Sequence, residues 1–150
     1  MSGTNNRKSK VNLGSNDVVP VVVKATYDYA TDGGAVGAIT LTGEDGKAVK
    51  IPAGSLITRC WKNVTTTLAG ASSTWMFGTS EDTDAFLAAT AFDNAANVGL
   101  DAHSAALPQK VGAGGDVSLV ATIAAAVATA GAFELYVEYI PPRSRSIARD

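Results

Sequence analysis

The sequence predicts an all-β protein: an antiparallel β-sandwich of jelly-roll type, with one short helix in a crossing loop and extended arms at both ends. Three observations point there. Apolar and polar residues alternate with period two in most of the hydrophobic runs, the pattern of strands with one buried face. Turn residues recur at short intervals between those runs. The composition is dominated by 26 Ala, 15 Gly, 15 Val and 15 Thr in 150 residues, small and β-branched types that suit closely packed strands. With 46% hydrophobic and 17% charged residues, the chain is too apolar and too weakly charged to be disordered.

The elements follow in order. Residues 21–29 place Val21, Val23, Ala25, Tyr27 and Tyr29 on one face and Lys24, Thr26 and Asp28 on the other. Pro20 suits the start of an edge strand, because it has no amide hydrogen to donate. A turn is expected at Thr31-Asp32-Gly33-Gly34. Residues 35–42 and 47–51 flank Gly43-Glu44-Asp45-Gly46, a strong hairpin signal, since glycine accepts positive φ without steric cost. After Pro52-Ala53-Gly54, residues 55–68 form a long strand whose imperfect alternation predicts a bulge or a change of sheet. Trp75-Met76-Phe77 is a short strand with both aromatic rings on one face.

Residues 80–92 are expected to form the helix. Ser80 or Thr79 can cap it, and Glu81, Asp82 and Asp84 suit the positive end of a helix dipole. Residues 93–116 read as loop, with a short strand near 109–111. In 117–128 alanine favours helix, yet Val117, Leu119, Ala121, Ile123, Ala125 and Val127 alternate strictly, and a turn into the next strand favours a hairpin. That next strand puts Phe133, Leu135, Val137 and Tyr139 on one face and Glu134, Tyr136 and Glu138 on the other, until Pro141-Pro142 ends pairing. About eight strands result.

Charge divides the chain into three parts. Residues 1–17, read as a flexible arm, carry Arg7, Lys8 and Lys10 against Asp17. Residues 141–150, read as a tail, carry Arg143, Arg145 and Arg149 against Asp150. The sandwich domain, 18–140, has six basic and twelve acidic residues, a net of −6. An acidic body argues against nucleic-acid binding. Basic ends suit an acidic partner surface or the body of a neighbouring copy; they also serve simply as solubilising ends. No apolar leader is visible at the N-terminus, and the uncharged run 117–133 is Ala-rich and interrupted by Ser and Thr, so it reads as core rather than membrane span. Synthesis in a reducing host cytoplasm is expected, with no membrane association.

Candidate chemistry is sparse: one His, one Cys and one Gln. Cys60 reads as a small buried hydrophobe, and a Cys60–His103 nucleophilic pair lacks any local signature. His103 has no second His or Cys at ligand spacing. Glu81, Asp82 and Asp84 could bind calcium but are better explained as a helix start. Gly112-Ala113-Gly114-Gly115 lacks the Gly-Lys-Ser/Thr ending of a phosphate loop, and the Gly43–Lys47 stretch is a hairpin tip. Glu134 and Glu138 could form a glycosidase pair but more simply make a solvated face. Trp61, Trp75 and Tyr136 are candidates for a sugar platform. No catalytic, metal or cofactor site is expected.

Three stretches carry a family resemblance: Ile51-Pro-Ala-Gly-Ser-Leu-Ile-Thr-Arg59, Gly78-Thr-Ser-Glu-Asp-Thr-Asp-Ala-Phe-Leu-Ala-Ala-Thr90, and Thr129-Ala-Gly-Ala-Phe-Glu-Leu-Tyr-Val-Glu-Tyr139. In this order, over roughly residues 35–140, they resemble small structural proteins of tailed-bacteriophage particles. The resemblance implies a sandwich that decorates or cements a capsid, or a related head-fibre or tail component. It does not reach the two arms. On charge grounds alone, Arg7, Lys8, Lys10, Arg143, Arg145 and Arg149 are the expected partner-binding residues. The expectation is a non-enzymatic virion protein bound to the major capsid protein, as a homo-oligomer with a trimer favoured. A carbohydrate-binding module of a fibre or tail is the alternative.

Overall fold

The computed structural model describes residues 18–91, 99–103 and 107–142, the backbone alone for 99–103. The predicted arm, 1–17, and the basic part of the tail, 143–150, lie outside the described residues.

Ten strands and one short helix fold into two antiparallel sheets. The strands are β1 (Val21–Asp28), β2 (Gly37–Thr40), β3 (Lys50–Ile51), β4 (Leu56–Ala69), β5 (Thr74–Thr79), β6 (Leu87–Ala91), β7 (Gly99–His103), β8 (Gln109–Lys110), β9 (Val117–Ala124) and β10 (Ala130–Ile140); helix α1 is Tyr29–Asp32. The first sheet runs β1-β10-β4-β7, with β8 also paired to β4; the second runs β2-β9-β5-β6, with β3 also paired to β9. The chain therefore crosses between layers repeatedly, and most of its strand contacts are long-range.

The alternation read from the sequence becomes the core. Ala25, Tyr27, Phe133, Leu135 and Val137 face inward from the first sheet, and Trp75, Phe77, Leu119, Ala121 and Ile123 from the second; all are buried. Phe133 joins the layers: its ring lies 5.4 Å from Tyr27 in its own sheet, and 4.8 and 5.0 Å from Trp75 and Phe77 across the interface. The expected irregularity in the long strand is present. The register between β10 and β4 shifts between Glu138↔Arg59 and Tyr139↔Ile57, so Thr58 is the extra residue. Gly131 is required where β10 begins: its φ is +136°, and a Cβ there would run into Leu68.

Four expectations are corrected. The helix at 80–92 does not form. Thr79 Oγ1 instead accepts from the amides of Glu81 and Asp82, and the Thr79 amide donates to the Asp82 carbonyl at 2.8 Å, which folds a tight turn. Ala85 and Phe86 then plug the core, and residues 87–91 become β6 at the edge of β5. Pairing and burial override the helix preference of alanine. The one helix among the described residues is α1, where the end of a strand and a turn were expected; Tyr29, expected on the buried face, is exposed in it, and Asp28 caps it by accepting from the Ala30 amide at 2.9 Å. His103 ends a strand, β7, that polar composition hid within an expected loop. The strand from Val117 stops at Ala124 rather than 128.

The hairpin at Asp45-Gly46 forms, with Gly46 at φ +76° and Thr42 bridged to Ala48, but β2 and β3 do not continue it as partners. Both pair with β9 instead, end to end, and the hairpin leaves that line as an excursion. Its base lies against the edge of β1, where the Thr26 amide donates to the Thr42 carbonyl at 2.9 Å.

Replacing Phe133 with Ala should cost about 3–5 kcal/mol, the range for a buried aromatic ring, and lower the melting temperature by on the order of 10 °C. Calorimetry checks this. Burial, reinforced by Asp32, pushes the Tyr27 hydroxyl up to about 12. Its folded value exceeds its unfolded one, so its contribution is complete below pH 10 and is lost as the pH rises toward 12. Tyr27→Phe should flatten that part of the alkaline stability profile, measured by urea unfolding between these limits.

Candidate interaction surface

The outer face of the first sheet is built by the residues that alternate away from the core. Cross-strand register places them in rows across β1, β10 and β4: Val22, Glu138 and Arg59; then Lys24, Tyr136 and Trp61; then Thr26, Glu134 and Asn63. Arg59 grips Glu138 with two bonds, Nε to Oε1 and a terminal nitrogen to Oε2, each 3.0 Å, and Thr58 Oγ1 donates to the same Oε1 at 2.9 Å. Trp61 and Tyr136 stack at 5.5 Å with their planes 7° apart. The Arg59 guanidinium sits 5.6 Å from the Trp61 ring centroid. The Tyr136 hydroxyl and the Asn63 amide both donate to Glu134 Oε1, at 2.9 and 3.3 Å. Lys24 bridges Glu44 of the hairpin, at 2.9 Å, and Glu134, at 3.6 Å.

This surface is internally satisfied. Glu138 is held below its ordinary value chiefly by the Arg59 hydrogen bond and then by Thr58. Glu134 is held below its ordinary value first by Tyr136 and then by Asn63. Neither is raised, as the acid of a glycosidase pair needs to be. The sugar-platform reading also fails on geometry. Trp75 is 1% exposed in the core, and Trp61 has Arg59 beside it and Tyr136 stacked against it.

The remaining candidates are structural as well. Glu81 Oε1 accepts from the Gly112 amide at 3.1 Å and Asp82 Oδ2 from Gln109 at 2.9 Å, so these carboxylates tie the 79–86 turn to β8 and the loop after it. Among the described residues no group of three or more His, Cys, Asp or Glu could hold a metal ion. The register sets His103 opposite Cys60, a juxtaposition that spacing alone did not reveal. Cys60 is nevertheless 2% exposed, and burial pushes its thiol well above its usual value, the reverse of an activated nucleophile. Lys62, which alternation counted from Ile57 would place outward, is fully buried; its register partner is Asp101. The Thr58 bulge resets the alternation of β4, a change that cannot be counted from sequence. The six predicted partner-binding residues, Arg7, Lys8, Lys10, Arg143, Arg145 and Arg149, lie outside the described residues.

Among the described residues, the exposed large apolar side chains gather at the two ends of the sandwich. Val18, Val19, Val22 and Leu56 lie where β1 and β4 begin; Tyr29, Val36 and Val127 lie at the other end. No family model and no curated protein matches the sequence. Solved structures do match the fold. A chain in the capsid asymmetric unit of cyanophage Pam1 superimposes with a TM-score of 0.63 at 16% identity, over 95% of this chain and 100% of that one. This chain has the fold of phage capsid chains. A chain of the acid-stable capsid of Helicobacter pylori bacteriophage KHP30 gives a TM-score of 0.58 at 17% identity, covering 83% and 90% of the two chains. One from the capsid of Ralstonia phage GP4 gives 0.56 at 19%, covering 93% and 94%.

Acid should erode the outer-face network in a defined direction. Glu134 and Glu138 have folded values below their unfolded ones, so the stability they contribute is present above about pH 4.5 and is lost as the pH falls through the folded values. A Glu134→Gln, Glu138→Gln double variant should lose less stability than the parent between about pH 5 and pH 3. Thermal unfolding across that range checks it.

Proposed function

We propose that this chain is a non-enzymatic structural protein of a tailed-phage particle that binds the capsid shell and stabilises it, as a cement or decoration protein. The observation that carries the reading is the match along nearly the whole length of both chains to chains of three phage capsids. The strand order, with β1-β10-β4-β7 facing β2-β9-β5-β6, supports a jelly roll, an architecture used by viral capsid domains and lectins. The chemistry agrees: the single thiol is buried and its ionisation suppressed, and the outer-face carboxylates are committed to ion pairs and hydrogen bonds. The lectin-like alternative, a carbohydrate module, is disfavoured by the buried Trp75 and the flanked Trp61.

The partner in this reading is the major capsid protein, and the protein itself acts as a homo-oligomer, with a trimer favoured because shells offer three-fold positions. The basic residues of the two arms supply charge-assisted contacts to acidic groups on the shell. Full-length protein mixed with empty shells stripped of it should co-sediment with them and raise their disruption temperature. Deleting residues 1–17 or 143–150 should weaken co-sedimentation while leaving the melting temperature of the isolated sandwich nearly unchanged. Undiminished binding by both truncations rejects the arms as anchors; no binding by the intact protein rejects the decoration reading.

A further inference from the structure

Both arms leave the sandwich at the same end. Val21, at the start of β1, pairs with Tyr139, near the close of β10, and Leu56, at the start of β4, pairs with Ile140. Pro142 packs near the turn that precedes β4: its Cβ lies 3.5 Å from the position a Gly54 Cβ would take. Seventeen residues precede Val18 and eight follow Pro142, with Arg7, Lys8, Lys10, Arg143, Arg145 and Arg149 among them.

That end is also an apolar corner. Val18, Val19, Val22 and Leu56 are 64%, 50%, 50% and 38% exposed, on a sheet whose next rows are polar and mutually paired. Strand spacing puts Leu56 only about 10 Å from the β1 side of the corner, with half-buried Ile140 between. The hairpin that covers the β1 edge reaches Thr26 and Lys24, through Thr42 and Glu44, and stops short of Val22.

We infer that this corner is the shell-facing docking surface, and that its occupant is a protein surface with an apolar centre and a rim of carboxylates. The inference rests on the decoration reading and deepens it by orienting the molecule. An apolar contact flanked by basic segments on both sides matches an acidic rim. A second copy of this chain fits that chemistry less well, because nine of its carboxylates are engaged within its own fold. Glu44, Glu134 and Glu138 are ion-paired, while Asp28, Asp32, Asp45, Glu81, Asp82 and Asp116 accept from amides of their own chain. The opposite end exposes Tyr29, Val36 and Val127 but has no basic segment emerging from it, and in this orientation it points away from the shell.

The test uses full-length protein and empty shells stripped of it, with binding read by co-sedimentation. Val22→Glu and Leu56→Glu should each weaken binding about tenfold or more, which is 1.4 kcal/mol or beyond. Val19→Glu, which precedes the first strand and cannot disturb its pairing, should act in the same direction. Val36→Glu and Val127→Glu, at the far end, should bind like the parent. Binding by the parent should fall as salt rises from about 0.05 to about 0.5 M, and Arg143→Ala, Arg145→Ala, Arg149→Ala together should flatten that dependence. Unchanged binding by the corner variants, or loss confined to the far-end variants, overturns the orientation while leaving the decoration reading intact. Failure of the parent to bind removes both. A parent that self-associates in solution, and that Val22→Glu and Leu56→Glu render monomeric, makes the corner a contact between copies and overturns the shell-facing assignment.

Discussion

The contact of Phe133 with Trp75 and Phe77 is the point at which two separate sheets become one protein. Each sheet is a set of hydrogen-bonded ribbons with one apolar face, and neither is stable until that face is covered. Phe133 sits on β10, the inner strand shared by β1 and β4, and Trp75 and Phe77 sit on β5, beside β9. The edge-to-face approach of Trp75 to Phe133, with planes 90° apart at 4.8 Å, fixes how the layers meet. That contact fixes which face of each sheet is covered, and so which residues are left outside.

Much of this was legible in the sequence because period two is a direct imprint of the pleat. The inward sets of β1 as far as Tyr27 and of β10 could be read residue by residue, although Tyr29 left the strand for the helix, and the turn at Asp45-Gly46 and the stop at Pro141-Pro142 follow from local backbone chemistry alone. What could not be read depended on distant partners. Residues 80–92 look helical in isolation, with acids first and alanines after. Only the free edge of β5 and the hydroxyl of Thr79 turn them into a capped turn and a strand. Residues 99–103 look like loop from their own propensity, and become a strand because pairing with β4 is worth more. The excursion at 42–48 kept the sequence of a simple hairpin while its flanks found a third strand.

The candidate surface was legible to a lesser degree. Glu134 and Glu138 were placed on the outer face of β10, but Asn63 and Arg59, which reach them from β4, lie 71 and 79 residues away, so their role as closed pairs could not be derived from spacing. The aromatic candidates divided in the same way: Trp75 went inward and Trp61 outward, the two being separated by a turn that carries the chain to the other layer. A bulge at Thr58 displaced the alternation enough to bury Lys62. The apolar corner was invisible as a feature, since Val18, Val22 and Leu56 become neighbours only through β10.

The excursion between β2 and β3 has a consequence for variation. Because β9 holds the chain both before and after it, through Thr40↔Val120 and Lys50↔Ser118, the pairing does not set how many residues lie between. Lengthening such a loop costs little entropy, growing only with the logarithm of its size. The tip at Asp45-Gly46 can therefore accept an inserted peptide, and foreign sequence carried there would be displayed from a scaffold that senses it through little more than the Lys24–Glu44 pair.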